Sequence, residues 1–96
     1  MTMKASINGR LYNTDTMTTL CGKPAYNNGN YCGETSIRKT RSGLYAVVVT
    51  SNGQNLYRES YIRAIDKDKI AEFIDGWQLD DGETSTLIAE GILTEA

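Results

Sequence analysis

Residues 36–50, SIRKTRSGLYAVVVT, hold the pattern that decides the fold. Ser36–Thr40 predicts a strand, Arg41–Gly43 favours a turn, and Leu44–Thr50 is an almost unbroken apolar run rich in β-branched residues. Such a run is typical of a central strand that is covered on both faces for part of its length. Two strands joined by a tight turn therefore predict an antiparallel pair at the centre of a sheet.

The same sheet extends in both directions along the sequence. Ser51–Gln54 predicts a turn with Asn-Gly at its centre, and Asn55–Ile65 predicts the strand that follows. Nearer the N-terminus, Met3–Tyr12 predicts a hairpin closed by Asn8-Gly9, and Met17–Cys21 predicts a further strand.

The segment Gly22–Gly33, GKPAYNNGNYCG, is predicted to be a loop because glycine, proline and asparagine dominate it. A structureless connection of this length is unusual in a compact domain and is often functional or mobile. A surface excursion whose tyrosines lean on the sheet is the alternative. The candidate partner-binding residues of this loop are Tyr26, Asn27, Asn28, Asn30 and Tyr31.

One or two helices are predicted at the C-terminal end. Asp66 is a good N-cap, and the apolar residues that follow it at helical spacing are Ile70, Phe73, Ile74 and Trp77. Thr84 or Ser85 could cap a second helix within Glu83–Ala96, although a C-terminal strand is the other option. The sequence therefore predicts one α+β domain over residues 1–96, an antiparallel β-meander of about four to five strands packed by one or two C-terminal helices.

Charge is divided unequally along the chain. Residues 1–63 hold eight basic and three acidic residues, whereas residues 64–96 hold two basic and nine acidic, although the formal net charge is only −2. Such asymmetry indicates charged partners. Carboxylates outside the apolar helical stripe form a candidate face for docking on a basic groove of another protein, with ordinary solubility as the alternative. They are Asp68, Glu72, Asp75, Asp80, Asp81 and Glu83.

The basic residues indicate an alternative, contact with a nucleic acid. The candidates are Arg38, Lys39, Arg41 and Arg58, with Tyr31 and Tyr45 near enough in sequence to stack a base. Because neighbouring residues of a strand point to opposite faces, Arg38 and Lys39 form one patch only if the sheet edge or the turn gathers them. The simpler interpretation is a solvated hairpin tip whose charges keep other strands from pairing with the sheet edge.

No sequence pattern predicts catalysis. The chain has no histidine, the commonest general base and metal ligand, and it has no Gly-rich phosphate loop or nucleophile elbow. We therefore expect no enzymatic activity, no cofactor and no metal. Cys21 and Cys32 leave three alternatives open: buried reduced thiols, a disulfide that closes the intervening loop, or a metal site shared between subunits. Without an apolar span or a signal-like N-terminus, a cytoplasmic location in a host cell, away from membranes, is expected.

Two segments resemble a group of small bacterial and phage proteins. Residues 8–16, NGRLYNTDT, resemble the Gly-Lys-x-Tyr-Asp/Asn-Thr-Glu-Thr opening of that group, and residues 34–45, ETSIRKTRSGLY, resemble its following hairpin. Ile65–Trp77 fits the acidic helix that comes next in the group. The resemblance implies a fold and a phage or mobile-element source, and in size and charge the chain is similar to anti-CRISPR proteins, which bind and block host defence complexes.

The expected function is therefore that of a phage or mobile-element inhibitor that docks on a host defence complex, with a Cas protein or CRISPR–Cas complex as the partner. A small nucleic-acid-binding module is one alternative. A homo-oligomeric module, such as a homodimer formed by pairing exposed strand edges across a two-fold axis, is the other.

Overall fold

A computed structural model describes residues 2–96 as a four-stranded antiparallel sheet, a separate two-stranded hairpin and two helices at the C-terminal end. The α+β prediction, with its antiparallel meander and C-terminal helices, is confirmed, although the strands form two sheets rather than one. No helix within this described part has the length and apolar character needed to cross a bilayer. The elements are β1 (Lys4–Ile7), β2 (Arg10–Asn13), a 3-10 turn (Thr14–Thr16), β3 (Thr18–Asn27), β4 (Asn30–Lys39), β5 (Tyr45–Val49), β6 (Tyr61–Ile65), α1 (Lys67–Phe73) and α2 (Asp81–Ala89).

The meander has the order β3-β4-β5-β6, so the apolar run predicted to be central forms β5, an inner strand. Ala46, Val47 and Val48 of β5 are fully buried, which confirms that both faces of this strand are covered. On one face, Ile37 and Val47 pack in a core with Ile70 of α1 and Leu87 of α2.

The β1–β2 hairpin lies against the four-stranded sheet, where β1 contacts β6. Its Asn8-Gly9 turn has φ angles of 53° and 75°, as the Asn-Gly signal predicts for a two-residue hairpin loop. Tyr12 of β2 is 5% exposed. The hairpin thus buries an aromatic ring outside the helix-side core.

The predicted loop over Gly22–Gly33 is wrong, because this segment forms the outer halves of β3 and β4. Asn28 and Gly29 have φ angles of 53° and 81°, so they make the same kind of two-residue turn as the N-terminal hairpin. Tyr26 and Tyr31 face each other in register across the two strands. The Asn-Gly signal outweighs the general richness in loop-forming residues.

The strand predicted over Asn55–Ile65 begins only at Tyr61. The Asn55 side chain accepts a hydrogen bond from the backbone N–H of Tyr57 (3.0 Å), and the Asn55 carbonyl accepts one from the N–H of Arg58 (3.1 Å). This local turn competes with strand pairing, as asparagine side chains often do.

The first helix begins after Asp66 as predicted, although the Asp66 side chain makes no capping hydrogen bond. The helix ends at Phe73, so Trp77 lies beyond it. Ile70, Phe73, Ile74 and Trp77 nevertheless all pack on the helix-side core. The apolar stripe therefore identifies the packed residues correctly and overestimates the length of the helix.

A second helix is present, but its N-cap is Asp80 rather than Thr84 or Ser85. Asp80 Oδ1 accepts from the Glu83 N–H (2.7 Å) and Glu83 Oε1 accepts from the Asp80 N–H (3.1 Å), which is a capping box. Gly91, with φ of 76°, terminates α2 in a Schellman motif.

Candidate functional site

The β3–β4 hairpin projects beyond the rest of the sheet. Because β5 pairs only with Thr35–Lys39 of β4, residues 24–34 form a two-stranded arm. At its tip the rings of Tyr26 and Tyr31 meet edge to face with centroids 6.1 Å apart, a favoured aromatic geometry. The structure thus brings together all five residues proposed for partner binding in this segment: Tyr26, Asn27, Asn28, Asn30 and Tyr31.

The β5–β6 loop, residues 50–60, runs beside the arm. The backbone N–H and the side-chain amide of Asn52 donate to the carbonyls of Cys32 (3.2 Å) and Tyr31 (2.8 Å). The loop therefore braces the arm next to its aromatic pair.

Arg58 fixes this loop to the sheet. Its Nε donates to the Thr50 carbonyl (2.8 Å) and its Nη2 to Thr35 Oγ1 (3.4 Å), while the Thr50 N–H donates to the Glu34 carbonyl (2.9 Å). The close approach requires glycine at Gly33, where φ is 139° and a Cβ would overlap the Thr50 carbonyl. Arg58, a candidate nucleic-acid contact, is thus bonded within the protein.

Exposed apolar side chains concentrate at this end of the sheet, which we call the distal end (residues 24–34 and 50–61). Among residues 2–96, five of the seven large apolar side chains that are exposed lie there. Leu56 and Tyr57 are 90% and 96% exposed. The five are Tyr26, Tyr31, Leu56, Tyr57 and Tyr61, whereas Leu11 and Ile88 lie elsewhere.

A groove with a volume of about 540 Å³ follows the outer edge of β3 at the base of the arm. One wall comes from β3 and the other from the connection between α1 and α2. Trp77, half-buried, and Tyr26, exposed, are its two aromatic residues. The lining residues are Gly22, Lys23, Pro24, Tyr26, Gly76, Trp77 and Gln78.

The β3 wall of this groove offers hydrogen-bond acceptors. Glu34 turns its N–H and carbonyl toward Thr50, so Pro24, its partner in register, turns its own backbone away from β4. The backbone N–H and carbonyl of Gly22, two residues earlier, point the same way as the backbone of Pro24, and the Gly22 N–H donates to Glu83 Oε2 (2.9 Å). Since Pro24 has no N–H, the carbonyls of Gly22 and Pro24 remain as the outward polar groups.

The six candidate acidic residues divide into two groups. Asp68, Glu72 and Asp75 are exposed on or just after α1, whereas Asp80 and Glu83 take part in the capping box of α2. Asp81 is exposed in the first turn of α2, where an anion complements the helix dipole. Asp68 likewise lies in the first turn of α1, so of the six residues the structure leaves Glu72 and Asp75 without an evident structural role.

The four candidate basic residues are not brought together. Arg38 and Lys39 lie on opposite faces of β4, and Arg38 Nε donates to Ser36 Oγ (3.0 Å). Arg41 lies in the β4–β5 turn, at the end of the sheet opposite Arg58.

Lys39 is held in a polar cluster that ties α2 to the sheet. Its Nζ lies 2.9 Å from Glu90 Oε1, the only ion pair within residues 2–96, and the Tyr45 hydroxyl donates to the same oxygen (2.7 Å). The hydrogen bonds from Tyr45 and Lys39 lower the pKa of Glu90. The hydrogen bond to Glu90 raises the pKa of Lys39 and that of Tyr45. Lys39 thus has an internal partner for its charge.

Both cysteines are free and buried. Cys21 is in register with Ile37, whereas Cys32 lies opposite Ala25 and Tyr26, so their Cα atoms are separated by roughly 14 Å along the strands, beyond the ~7 Å reach of a disulfide. Of the three alternatives, the structure therefore contains the reduced thiols. Burial, with the Glu83 carboxylate adding to it, raises the pKa of Cys21 to about 11. In the described part of the chain, no group of three or more His, Cys, Asp or Glu side chains could hold a metal ion.

Sequence reasoning missed the β5–β6 loop and the groove as parts of this surface. Leu56 and Tyr57 fall in the segment predicted to be a strand, although the Asn-Gly turn and Asn55 before them were signals for a loop. The groove joins Pro24 to Trp77, and no local pattern reveals contacts between segments so distant in sequence.

No protein-family model matches the chain, and neither a curated protein nor a solved structure is significantly similar to it. The resemblance to small phage proteins accordingly stays a prediction.

Proposed function

We propose that the protein is a non-enzymatic docking module that binds a protein partner through its distal end. The observation that carries this proposal is the concentration of exposed Tyr and Leu side chains on the arm and the β5–β6 loop. Exposed apolar patches often mark interaction sites, and tyrosine is enriched among the residues that dominate binding energy.

The bracing of the distal end supports the same proposal. Asn52 and Arg58 hold the β5–β6 loop to the arm through hydrogen bonds of 2.8 Å to the carbonyls of Tyr31 and Thr50. A surface that is already ordered loses less conformational entropy when a partner binds, so more of the contact energy appears as affinity.

The acidic face on α1 supports a basic surface on the partner. Asp68, Glu72 and Asp75 are exposed and have no ion-pair partner within residues 2–96. Complementary charge would speed association and orient the module on a basic groove, such as the nucleic-acid channel of a host defence nuclease. With the resemblance to phage proteins, this makes inhibition of a CRISPR–Cas complex our proposal for the biological role.

A non-enzymatic role agrees with the chemistry that the chain offers. Histidine is missing from the sequence, and Cys21 is a buried thiol whose raised pKa, about 11, keeps it protonated at neutral pH. Nucleic-acid binding ranks second because Lys39 and Arg58 already have internal partners and Arg41 lies at the other end of the sheet.

The test is co-expression with type I and type II CRISPR–Cas complexes, followed by co-purification and a phage plaque assay. The double variant Leu56→Ser/Tyr57→Ser removes two distal apolar side chains, and Leu11→Ser, at a residue that is 69% exposed on β2, is the matched control. We expect the control to bind and to protect phage, and the double variant to lose affinity by about tenfold or more. Equal binding by both variants would overturn the assignment to the distal end.

If no complex binds and no phage is protected, the proposed partner is wrong. Light scattering and a gel shift at low salt distinguish the two alternatives. A concentration-dependent dimer would favour the homo-oligomeric module, and salt-sensitive binding of DNA or RNA would favour the nucleic-acid module.

A further inference from the structure

We infer that the groove along β3 takes an arginine side chain of the protein partner. The inference deepens the proposed docking function and rests on it. It follows from the aromatic walls, the hydrogen-bonding groups and the charge of the groove, each of which selects for a different property of the occupant.

The aromatic residues select for a flat cation. Tyr26, 63% exposed, lines one wall, and Trp77 lines the other. Trp77 is held in place because it packs edge to face on Phe73 with ring centroids 6.0 Å apart. The faces of Trp and Tyr rings attract cations, and a planar guanidinium can also stack on them, which an ammonium cannot.

The backbone at the β3 edge selects for a donor. The carbonyls of Gly22 and Pro24 point outward, while the Gly22 N–H is bonded to Glu83 and Pro24 has no N–H. Guanidinium carries five N–H donors and no acceptor, so it matches an edge that offers acceptors alone.

The surroundings of the groove select for positive charge. Asp75 immediately precedes the lining segment 76–78, Asp80 closely follows it, and Glu83 reaches into the β3 wall at Gly22. Lys23 is the one charged residue in the lining itself. Three carboxylates against one ammonium leave the surroundings net negative, which is complementary to a cation.

The natural reporter for this site is the indole N–H of Trp77, because the chain has one tryptophan. The probe is Nα-acetyl-L-arginine amide, titrated into the ¹⁵N-labelled full chain, with the neutral citrulline analogue and the lysine analogue as matched ligands. We expect a saturable shift of the Trp77 indole signal with the arginine probe and weaker binding of the lysine probe. No saturable shift is expected with citrulline. An unmoved indole signal, or equal binding of citrulline or lysine, would overturn the inference.

Tyr26→Ala tests the same site without disturbing the core, since Tyr26 is exposed, and circular dichroism verifies that the variant folds. We expect it to weaken binding of the arginine probe about two- to fivefold, as the loss of one exposed cation–π contact implies. Leu11→Ala, which removes a side chain that is 69% exposed on β2, outside both the groove and the distal end, should leave the affinity unchanged. Equal effects of the two substitutions would place the arginine elsewhere. If the probe does not bind but Leu56→Ser/Tyr57→Ser still impairs partner binding, this inference fails and the docking function stands.

Discussion

Glu83 joins α2 to the outer edge of the sheet, and its replacement by alanine should be among the more damaging changes at an incompletely buried position. One carboxylate oxygen accepts from the Asp80 N–H (3.1 Å) and the other from the Gly22 N–H (2.9 Å). Glu83→Ala removes both bonds and leaves the Gly22 N–H at the half-buried β3 edge without its acceptor.

The expected cost follows from these two contacts. Loss of a capping interaction costs about 0.5–2 kcal/mol, and a hydrogen bond to a charged group contributes about 1.5–3 kcal/mol when it is shielded. Because the Asp80 bond is exposed and the Gly22 bond is only partly buried, we expect the free energy of unfolding to fall by about 2–3 kcal/mol. For a domain of this size, that corresponds to a fall of roughly 10–20 °C in the melting temperature.

Urea unfolding followed by circular dichroism measures this change, with two matched variants. Glu83→Gln keeps one carbonyl acceptor and should cost about 1 kcal/mol. Asp81→Ala, in the same helical turn but exposed and without these bonds, should cost only about 0.3–1 kcal/mol through the helix dipole. If Glu83→Ala is no more destabilising than Asp81→Ala, then the link between α2 and β3 contributes nothing measurable and the reasoning is refuted.

Three further predictions concern the arm, the polar cluster and the thiols. Gly33→Ala should destabilise the fold by about 2–4 kcal/mol in urea unfolding, because its Cβ would overlap the Thr50 carbonyl at a strained φ of 139°; a neutral result would mean that the loop shifts freely. Glu90, whose pKa is lowered by hydrogen bonds from Tyr45 and Lys39, stabilises the protein above its ordinary pKa of 4.5, and this contribution is lost as pH falls through the lower folded value. Glu90→Gln should therefore flatten the acid limb of the stability profile below pH 4.5, and an unchanged limb would contradict the role of this cluster. A thiol reagent at pH 8 should label neither buried cysteine in the native protein and both after unfolding; rapid native labelling would contradict their burial.

The sequence predicts the sheet and its turns where the chemistry is local. Leu44–Thr50 identifies the central strand because β-branched apolar residues fit a strand buried on both faces. The same local chemistry explains the largest error. Asn28-Gly29 is as strong a hairpin signal as Asn8-Gly9, but the flanking strands lack clear apolar alternation, because the arm that they form projects away from the core.

The helix boundaries show which sequence signals locate the ends of a helix most accurately. Asp80 and Glu83 satisfy the capping-box spacing in the sequence, and this signal places the start of α2 more accurately than Thr84 or Ser85. Gly91 interrupts the predicted apolar pattern and proves to be the left-handed terminator of the helix.

The candidate site is harder to predict because its parts meet only through the tertiary fold. Tyr26 and Tyr31 stand out in the sequence as candidate contacts, and the arm exposes both. The groove between Pro24 and Trp77 depends on how α1 and α2 lie against β3, which no local pattern specifies. Likewise, whether Lys39 is free or paired depends on Glu90, far away in sequence.

The Lys39–Glu90 ion pair shows how the basic and acidic parts of the chain are related in the fold. Lys39 and Glu90 form the only ion pair across the boundary within residues 2–96, so the acidic end does not fold back to neutralise the basic sheet. Asp68 and Glu72 lie one turn apart on α1, and Glu72 and Asp75 lie near its negative C-terminal end, where each anion destabilises the helix by roughly 0.3–1 kcal/mol. Glu72 and Asp75 therefore work against the helix, whereas Asp68 in its first turn complements the helix dipole, so folding stability does not account for Glu72 and Asp75. The basic partner surface that we propose would account for them, because binding would neutralise charges that the isolated fold leaves unpaired.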